Sequence, residues 1–384
     1  MKVLFISDVA YPWTKGGSEY RIFKMADHLV KKGHSATVLC GKWWSGTPAP
    51  KGVIGVPIWK QLYAGRRRSV LSGASFALSA ARRLPELGNY DLVEFNQSPV
   101  THFALLDARP FARAFRRASL VGMLHEVWKE YWFSYAGLSG GVGYFLERRG
   151  ATALDHIITI SDFTRKRLLE LSVRGSDITI IRPGIDYEEI VTASPSKERY
   201  DIVFVGRLVS DAHLERLVQT VRILKDKHNR KTRLLVVGGG PMLDSLVGLS
   251  RAMGVSDDVF FRGVVQDRRE VYSLLRGAKV YVLPSAPHGG WNMASVEGNA
   301  AGLPIVAPIA SEIGWAAELI DEARNGMMVE DATPEKLAQA ILYLLENESD
   351  LQRMSRESVL RAKQFDWELV CGRTVGLYES LLRN

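Results

Sequence analysis

VYVLPSAPHGGWNMASVEGNAAGLPIVA, residues 280–307, is the stretch whose reading decides the fold. It opens as an apolar run of strand length, VYVLPS (280–285), and a second such run starts at Pro304. Between them, Gly289 and Gly290 lead through Trp291 and Asn292 into a helix-like segment that closes at Gly302–Leu303–Pro304. Strand, helix, strand is the repeating unit of a parallel α/β sheet, and such sheets bind ligands outside the carboxyl ends of their strands. The glycine-rich helix entrance lies at such an end. Gly289 and Gly290 leave the backbone bare, and the first helical N–H groups, those of Asn292, Met293 and Ala294, can cradle a pyrophosphate. Glu297 follows on the first helical turns. It reads either as an acceptor for two ribose hydroxyls or as an acid complementing the helix dipole.

The same alternation runs outward in both directions. In the first half, KVLFISD (2–8), SATVLCG (35–41), YDLVEFN (90–96), SLVGMLH (119–125) and HIITIS (156–161) read as strands with helical segments between them. The first helix covers 18–32, with Ile22, Met25, Ala26, Leu29 and Val30 on its apolar stripe and Lys31–Lys32–Gly33 as its stop. The second half restarts at YDIVFVGRL (200–208) and continues through TRLLVVGGG (232–240), VFFRGV (259–264), KVYVLPS (279–285) and PIVAP (304–308), with helices at 211–226 and 333–345. DYEEIVTASPSKER (186–199) is polar and lacks a sustained period, so the linker is placed there.

Bulk properties agree with this division. At roughly 100–200 residues per domain, 384 residues suggest two domains. A chain 46% hydrophobic and 24% charged is ordinary for a water-soluble α/β protein. Cys40 and Cys371 sit among apolar neighbours and make neither a disulfide framework nor a zinc site, which fits a reducing compartment. Asp8 breaks the first apolar run, which therefore reads as a buried strand and not a signal peptide. No uncharged apolar stretch is long enough to span a bilayer. The net charge is +8, clustered at Arg66–Arg68, Arg82–Arg83, 113–117 and 165–167. Such clusters read as solvated helix faces or as sites for anionic partners. No helix-turn-helix, RNP-like or zinc pattern supports nucleic acid as that partner.

Other strand ends carry candidate chemistry. Gly16 and Gly17 precede a helix start, which is either a tight turn or an anion-binding entrance. His125 follows a strand and can serve as acid, base or hydrogen-bond donor, or simply pack. Trp128, Tyr131 and Trp132 beside it can flank a sugar or fill the core. Gly206–Arg207 puts a guanidinium at a strand end, suited to bidentate phosphate binding. Gly238–Gly239–Gly240 reads as a turn, because it does not follow the first strand of a unit as a dinucleotide fingerprint would. No D-x-D motif occurs, so a carboxylate-held metal is not indicated. Together these features describe a nucleotide-diphosphate site with no metal and no cofactor required.

With these residues in view, the sequence resembles the retaining GT-B glycosyltransferases of family 4 (glycosyltransferase group 1) over nearly its whole length. The likeness is carried by KGGSEYR (15–21), LHE (124–126), ITISDFTRKRLLE (158–170), IIRPGIDYEEI (180–190), IVFVGRL (202–208), VVGGGPM (236–242), residues 280–307 and ARNGMMVEDATPEKLAQAI (323–341). It implies an α/β GT-B fold, two Rossmann-like doubly wound domains facing a central cleft. Residues 1–190 would form the acceptor domain, 198–365 the nucleotide-sugar domain, and 366–384 a helix crossing back. It further implies that Gly16 and Gly17 touch phosphate or acceptor, and that His125 lies beside the transferred sugar. Gly206 and Arg207 would meet the diphosphate, Gly263 and Val265 the base, Gly289–Ala294 the phosphates, and Glu297 the ribose.

Two positions depart from the family pattern. Gly289 stands where the first Glu of the E-x7-E motif is expected, and Ala212 stands where a Lys usually faces the diphosphate. His288 and His213 are the candidate compensating groups. The expected function is transfer of a sugar from a UDP- or GDP-sugar to a hydroxyl of a glycan or lipid-linked acceptor. In the family, retention is attributed to front-face attack. The alternative is a nucleotide-sugar-binding protein with weakened or lost transfer; a nucleotide-sugar epimerase is a further one. The arginine-framed segments 66–83 and 108–118 read either as surfaces for an anionic membrane or as helices packed on the sheet. The expected location is cytoplasmic, peripheral at the membrane face.

Overall fold

The computed structural model describes residues 1–14, 16–45, 49–60, 63–64, 67–96, 114–285, 291–309 and 318–383. The chain divides into two compact units, Met1–Pro183 with Glu368–Asn384, and Gly184–Trp367.

The first unit holds a seven-stranded sheet. Its strands are β1 (Lys2–Ile6), β2 (Ser35–Gly41), β3 (Val53–Val56), β4 (Leu92–Asn96), β5 (Ser119–Leu124), β6 (His156–Thr159) and β7 (Ile178–Ile180). Every pairing is parallel, in the order β3-β2-β1-β4-β5-β6-β7. The central strands are continuous apolar runs because helices cover both faces; Val3 to Ile6 are fully buried. Among those helices are α1 (Gly17–Lys31), α2 (Val70–Arg83), α3 (Tyr131–Ala136), α4 (Gly140–Ala153) and α5 (Asp162–Glu170). On α1, Ile22, Met25 and Leu29 point inward, whereas Val30, counted in the expected stripe, is 59% exposed.

The second unit holds six parallel strands. They are β8 (Ile202–Val205), β9 (Leu234–Val237), β10 (Val259–Gly263), β11 (Val280–Val282), β12 (Ile305–Ile309) and β13 (Gly326–Glu330), in the order β10-β9-β8-β11-β12-β13. Its helices include α6 (Tyr187–Thr192), α7 (Glu215–His228), α8 (Leu243–Ala252), α9 (Arg268–Arg276), α10 (Met293–Ala300), α11 (Pro334–Glu346) and α12 (Glu348–Ala362). In both units the first strand lies between the second and fourth, so the chain order reverses beside it. That reversal opens a crevice at the carboxyl ends, the usual ligand position in such sheets.

Three differences from the sequence reading have physical causes. The edge strands β3, β7 and β13 were not anticipated; at three to five residues, though mostly apolar, they are too short to show a strand period. Residues 184–190 belong to the second unit, and the segment read as a linker contains α6. Gly184 has no room for a side chain there, since a Cβ would stand 2.4 Å from the Trp367 ring. Finally, the helix expected from 211 begins only at Glu215, because His213 takes a left-handed conformation, with φ of 49°.

The last helix, α13 (Trp367–Arg383), completes the first unit through a buried polar cluster. Arg21 on α1 pairs with Glu94 on β4 at 2.5 Å and again at 3.1 Å, and the Tyr378 hydroxyl of α13 donates to the same carboxylate. All three side chains are almost completely out of water. Bidentate geometry offsets much of the desolvation, but losing one partner strands the other charge. Glu94→Ala is therefore expected to destabilise the protein by about 3–5 kcal/mol, measured by urea unfolding. A loss under about 1 kcal/mol would show that the cluster contributes little.

Candidate functional site

The carboxyl ends of β8, β9 and β10 are laced together through backbone. Gly206 N–H donates to Val237 O at 3.0 Å, Gly238 N–H to Gly263 O at 2.8 Å, and Leu208 N–H to Gly239 O at 3.0 Å. A Cβ on Gly238 would stand 1.9 Å from Gly206 O, and one on Gly240 would stand 2.3 Å from Leu208 O. Both glycines also have positive φ, 136° and 158°. The Gly238–Gly240 run is thus more than a turn: only glycine lets these loops approach so closely. The result is a glycine floor at the strand ends. Arg207 rises from it exposed, with no ion pair or side-chain hydrogen bond to the described residues. Val265 follows β10 half-buried.

At the neighbouring end of β11, α10 begins at Met293 with Asn292 as its N-cap. The Asn292 side chain accepts from Ser295 N–H at 3.0 Å. The N–H groups of Met293 and Ala294 have no partner among the described residues and remain available to an anion. Trp291, expected to contact the donor, is instead 8% exposed and packs against Phe365 with ring centroids 5.7 Å apart. Its indole fills the core. His288, Gly289 and Gly290 lie outside the described residues.

Glu297 sits beyond the first turn of α10 and is only 7% exposed. Its Oε1 accepts from Nη2 of Arg268, a residue the sequence reading passed over. Burial pushes the Glu297 carboxyl up, the nearby Asp186 adds to this, and Arg268 opposes both. The dipole reading is therefore corrected: a guanidinium, not the helix end, balances this charge. Oε2 takes no hydrogen bond among the described residues. One oxygen is anchored and the other is free to accept hydroxyls.

The loop after β8 explains the missing lysine. Ala212 ends a short 3-10 turn, and Ser285 Oγ donates to Asp211 O at 2.9 Å, which ties this loop to the end of β11. His213, a candidate replacement cation, is committed to Glu215, with Nδ1 and Oε1 3.1 Å apart. Arg216, one turn further on, reaches back and donates to Pro284 O at 3.1 Å. It went unnoticed because its register, not its sequence neighbourhood, brings it to the crevice.

In the first unit the helix entrance at Gly16 and Gly17 is already used. A Cβ on Gly16 would stand 2.4 Å from Oε2 of Glu19, which is 8% exposed. The helix supplies its own first-turn anion, so a phosphate there would compete with it. His125 follows β5, its Nε2 3.3 Å from Asn96 Oδ1. Burial, with Arg21 adding to it, lowers its pKa to about 3. The imidazole is neutral near pH 7, suited to a hydrogen bond and not to general acid work. Glu147 of α4 accepts from the N–H groups of Trp128 and Lys129, each at 2.8 Å, and so shapes the loop after His125. Trp128 packs against Trp132 in a tilted pair, centroids 4.6 Å apart, while Tyr131 is half exposed.

The segments read as membrane faces turn partly inward. Phe76 and Ala80 of α2, and Ala114 and Phe115, are fully buried, whereas Leu71 and Leu78 face out. Residues 108–113 lie outside the described residues. Among the described residues, no helix is long and apolar enough to cross a membrane.

Two family models match the chain: "Glycosyltransferase Family 4" over residues 15–189 and "Glycosyl transferases group 1" over residues 186–360. The chain belongs to the family 4, group 1 glycosyltransferases. An uncharacterized glycosyltransferase of Methanocaldococcus jannaschii is 25% identical over 237 residues, 59% of this chain and 59% of that one. A GDP-mannose-dependent alpha-(1-6)-phosphatidylinositol monomannoside mannosyltransferase of Mycobacterium tuberculosis is 26% identical over 52% of this chain and 54% of its own length. The chain thus spans just over half the length of these two relatives. The crystal structure of Anabaena HepE in complex with UDP superposes with a TM-score of 0.74 at 16% identity, covering 99% of this chain and 100% of that one. At that identity the likeness shows the fold, which is GT-B.

The neutral His125 of this glycosyltransferase has a measurable consequence. Its folded pKa lies below the unfolded value of about 6.5. As pH falls below that value, the unfolded chain takes up a proton that the folded one refuses, so stability declines. Between about pH 7 and pH 5, the wild type should lose stability more steeply than His125→Gln, read from urea midpoints. Parallel curves would show that His125 titrates normally in the folded protein.

Proposed function

We propose that the protein transfers a sugar from a UDP- or GDP-sugar to a hydroxyl of a glycan or lipid-linked acceptor, with retention of anomeric configuration. The observation that carries this reading is Glu297, a buried carboxylate with one oxygen anchored and one free, one helical turn from unpartnered N–H groups and near a glycine floor bearing Arg207. Cleavage of the glycosyl–phosphate bond builds positive charge on the sugar ring and negative charge on the leaving diphosphate. Arg207 and the α10 N–H groups would stabilise the second. The acceptor oxygen bonds to the anomeric carbon on the face the diphosphate leaves, and the acceptor proton passes to the departing phosphate oxygen. No dedicated protein base is needed. Family membership supports this reading, as do UDP in the HepE complex and the GDP-mannose dependence of the Mycobacterium tuberculosis mannosyltransferase.

Calorimetric titration of UDP and GDP into the purified protein tests the donor site. One nucleotide is expected to bind, and Glu297→Ala to weaken it roughly ten- to hundredfold, the loss of about 1.5–3 kcal/mol in hydrogen bonds to a charged acceptor. Binding of neither nucleotide would overturn the reading.

A lipid-linked acceptor is favoured by the surface of α3 and α4. Tyr131, Phe133, Leu138, Val142 and Phe145 are all exposed there, with Arg148 and Arg149 exposed on the same helix. Apolar side chains beside arginines suit an anionic bilayer surface. The protein is expected to sediment with phosphatidylglycerol vesicles at low salt and to be released as salt is raised. Failure to sediment at any salt would point to a soluble glycan acceptor.

A further inference from the structure

Four side chains from three elements of the second unit meet around Glu297. Arg268 Nη2 donates to Glu297 Oε1, and Arg268 Nε donates to the Tyr272 hydroxyl at 2.9 Å. That hydroxyl donates to Asp186 Oδ2 at 3.2 Å, and Arg268 Nε lies 3.7 Å from the same oxygen. Asp186 caps α6, Arg268 opens α9 and Tyr272 stands one turn further along it, while Glu297 is on α10. The guanidinium is therefore gripped from two sides. Its side chain is 45% exposed, yet it aims at a carboxylate side chain that is only 9% exposed.

We propose that Arg268 is a positioning residue for donor binding: it holds Glu297 ionised and in one rotamer, with Oε2 left free for the ribose hydroxyls. This rests on the donor site proposed above. The geometry requires such a residue. Two carboxylates, Glu297 and Asp186, share a region poor in water, and a single guanidinium touches both. Like charges so placed disfavour double ionisation, and a protonated Glu297 would lose acceptor capacity toward hydroxyls. The other groups facing Glu297 are the phenols of Tyr272 on α9 and Tyr281 on β11, both raised by burial first and so uncharged near neutral pH. Among the described residues no further charged group acts on Glu297.

The sign of the effect follows. Removing the cation raises the Glu297 pKa, so nucleotide affinity should fall at low pH and recover as pH rises and the carboxylate ionises. A rise of one pKa unit above the working pH leaves about a tenth of the protein competent, a tenfold loss of affinity.

The test is calorimetric affinity for UDP and GDP between about pH 6 and pH 9 in wild type, Arg268→Gln, Arg268→Lys and the double variant Arg268→Gln/Glu297→Gln. Expected for Arg268→Gln is about tenfold weaker binding near pH 6.5, with a midpoint at least one pH unit above that of wild type. Arg268→Lys keeps a cation and should restore most of the affinity. The double variant should bind weakly at every pH. Binding by Arg268→Gln equal to wild type at all pH values would overturn the inference. So would an equal, pH-independent loss in both the Gln and Lys variants, which would mean a purely structural role. Should Arg268→Gln lose its native circular dichroism, the Lys variant decides: affinity near wild type supports the inference, and pH-independent loss ends it. A wild type that binds neither nucleotide defeats the donor-site reading itself, whereas a binding wild type with an indifferent Arg268→Gln defeats only this inference.

Discussion

The contact between Arg268 and Glu297 organises the second unit's crevice. A carboxylate removed from water is tenable only when a cation or several donors face it. Glu297 lies on a helix whose own N–H groups are consumed by the helix beyond its first turn, so the partner has to come from elsewhere. It comes from the first residue of α9, and that choice draws Asp186 in as a second anion and Tyr272 as a bridge. The start of α6, the start of α9 and the middle of α10 are thereby held in one register. The segment that reads as a polar linker is in fact part of this network. Its acidic residue is not there for solubility; it helps aim a guanidinium.

The two units spend the same device differently. Each starts a helix at the carboxyl edge of a parallel sheet, where a positive dipole end and unpaired N–H groups meet. In the first unit, Glu19 folds back to within reach of Gly16 and neutralises that end. In the second, Asn292 satisfies one N–H and leaves those of Met293 and Ala294 without a partner among the described residues. The start of α10 thus keeps unpaired N–H groups where the start of α1 meets its own carboxylate. The first unit offers instead a neutral His125, the half-exposed Tyr131 and a loop fixed by Glu147. Those are means of recognising hydroxyl groups and apolar surface, not phosphate.

Much of the fold was legible because buried parallel strands are unbroken apolar runs. Val3–Ile6, Ile202–Val205 and Leu234–Val237 could hardly be anything else. The edges were not legible: Val53–Val56 and Gly326–Glu330 are short and partly solvated, too brief to show a period of their own. For the site, residue type was informative at the strand end Gly206–Arg207, whereas the close approach that Gly238 permits was read only as a turn. It was uninformative where packing decided. Trp291 could as easily have faced a ligand as Phe365, and only the third dimension places it. Arg268 stands 29 residues from Glu297, on another helix, and no local pattern joins them.

Ala212 stands where the family pattern has a lysine. A lysine there would be a point charge on a flexible stem. Here the position is apolar, and the adjacent His213 is turned into left-handed backbone and paired with Glu215. Near the end of β11 stands Arg216, whose guanidinium is anchored on the Pro284 carbonyl. An anchored guanidinium keeps the remaining donors of its fork pointing in a fixed direction. Arg207, at the end of β8, is exposed. Both arginines carry planar groups of the kind that suits bidentate contact with phosphate oxygens. Position 212 itself thus carries no cation, and Arg216 stands one turn further along the chain.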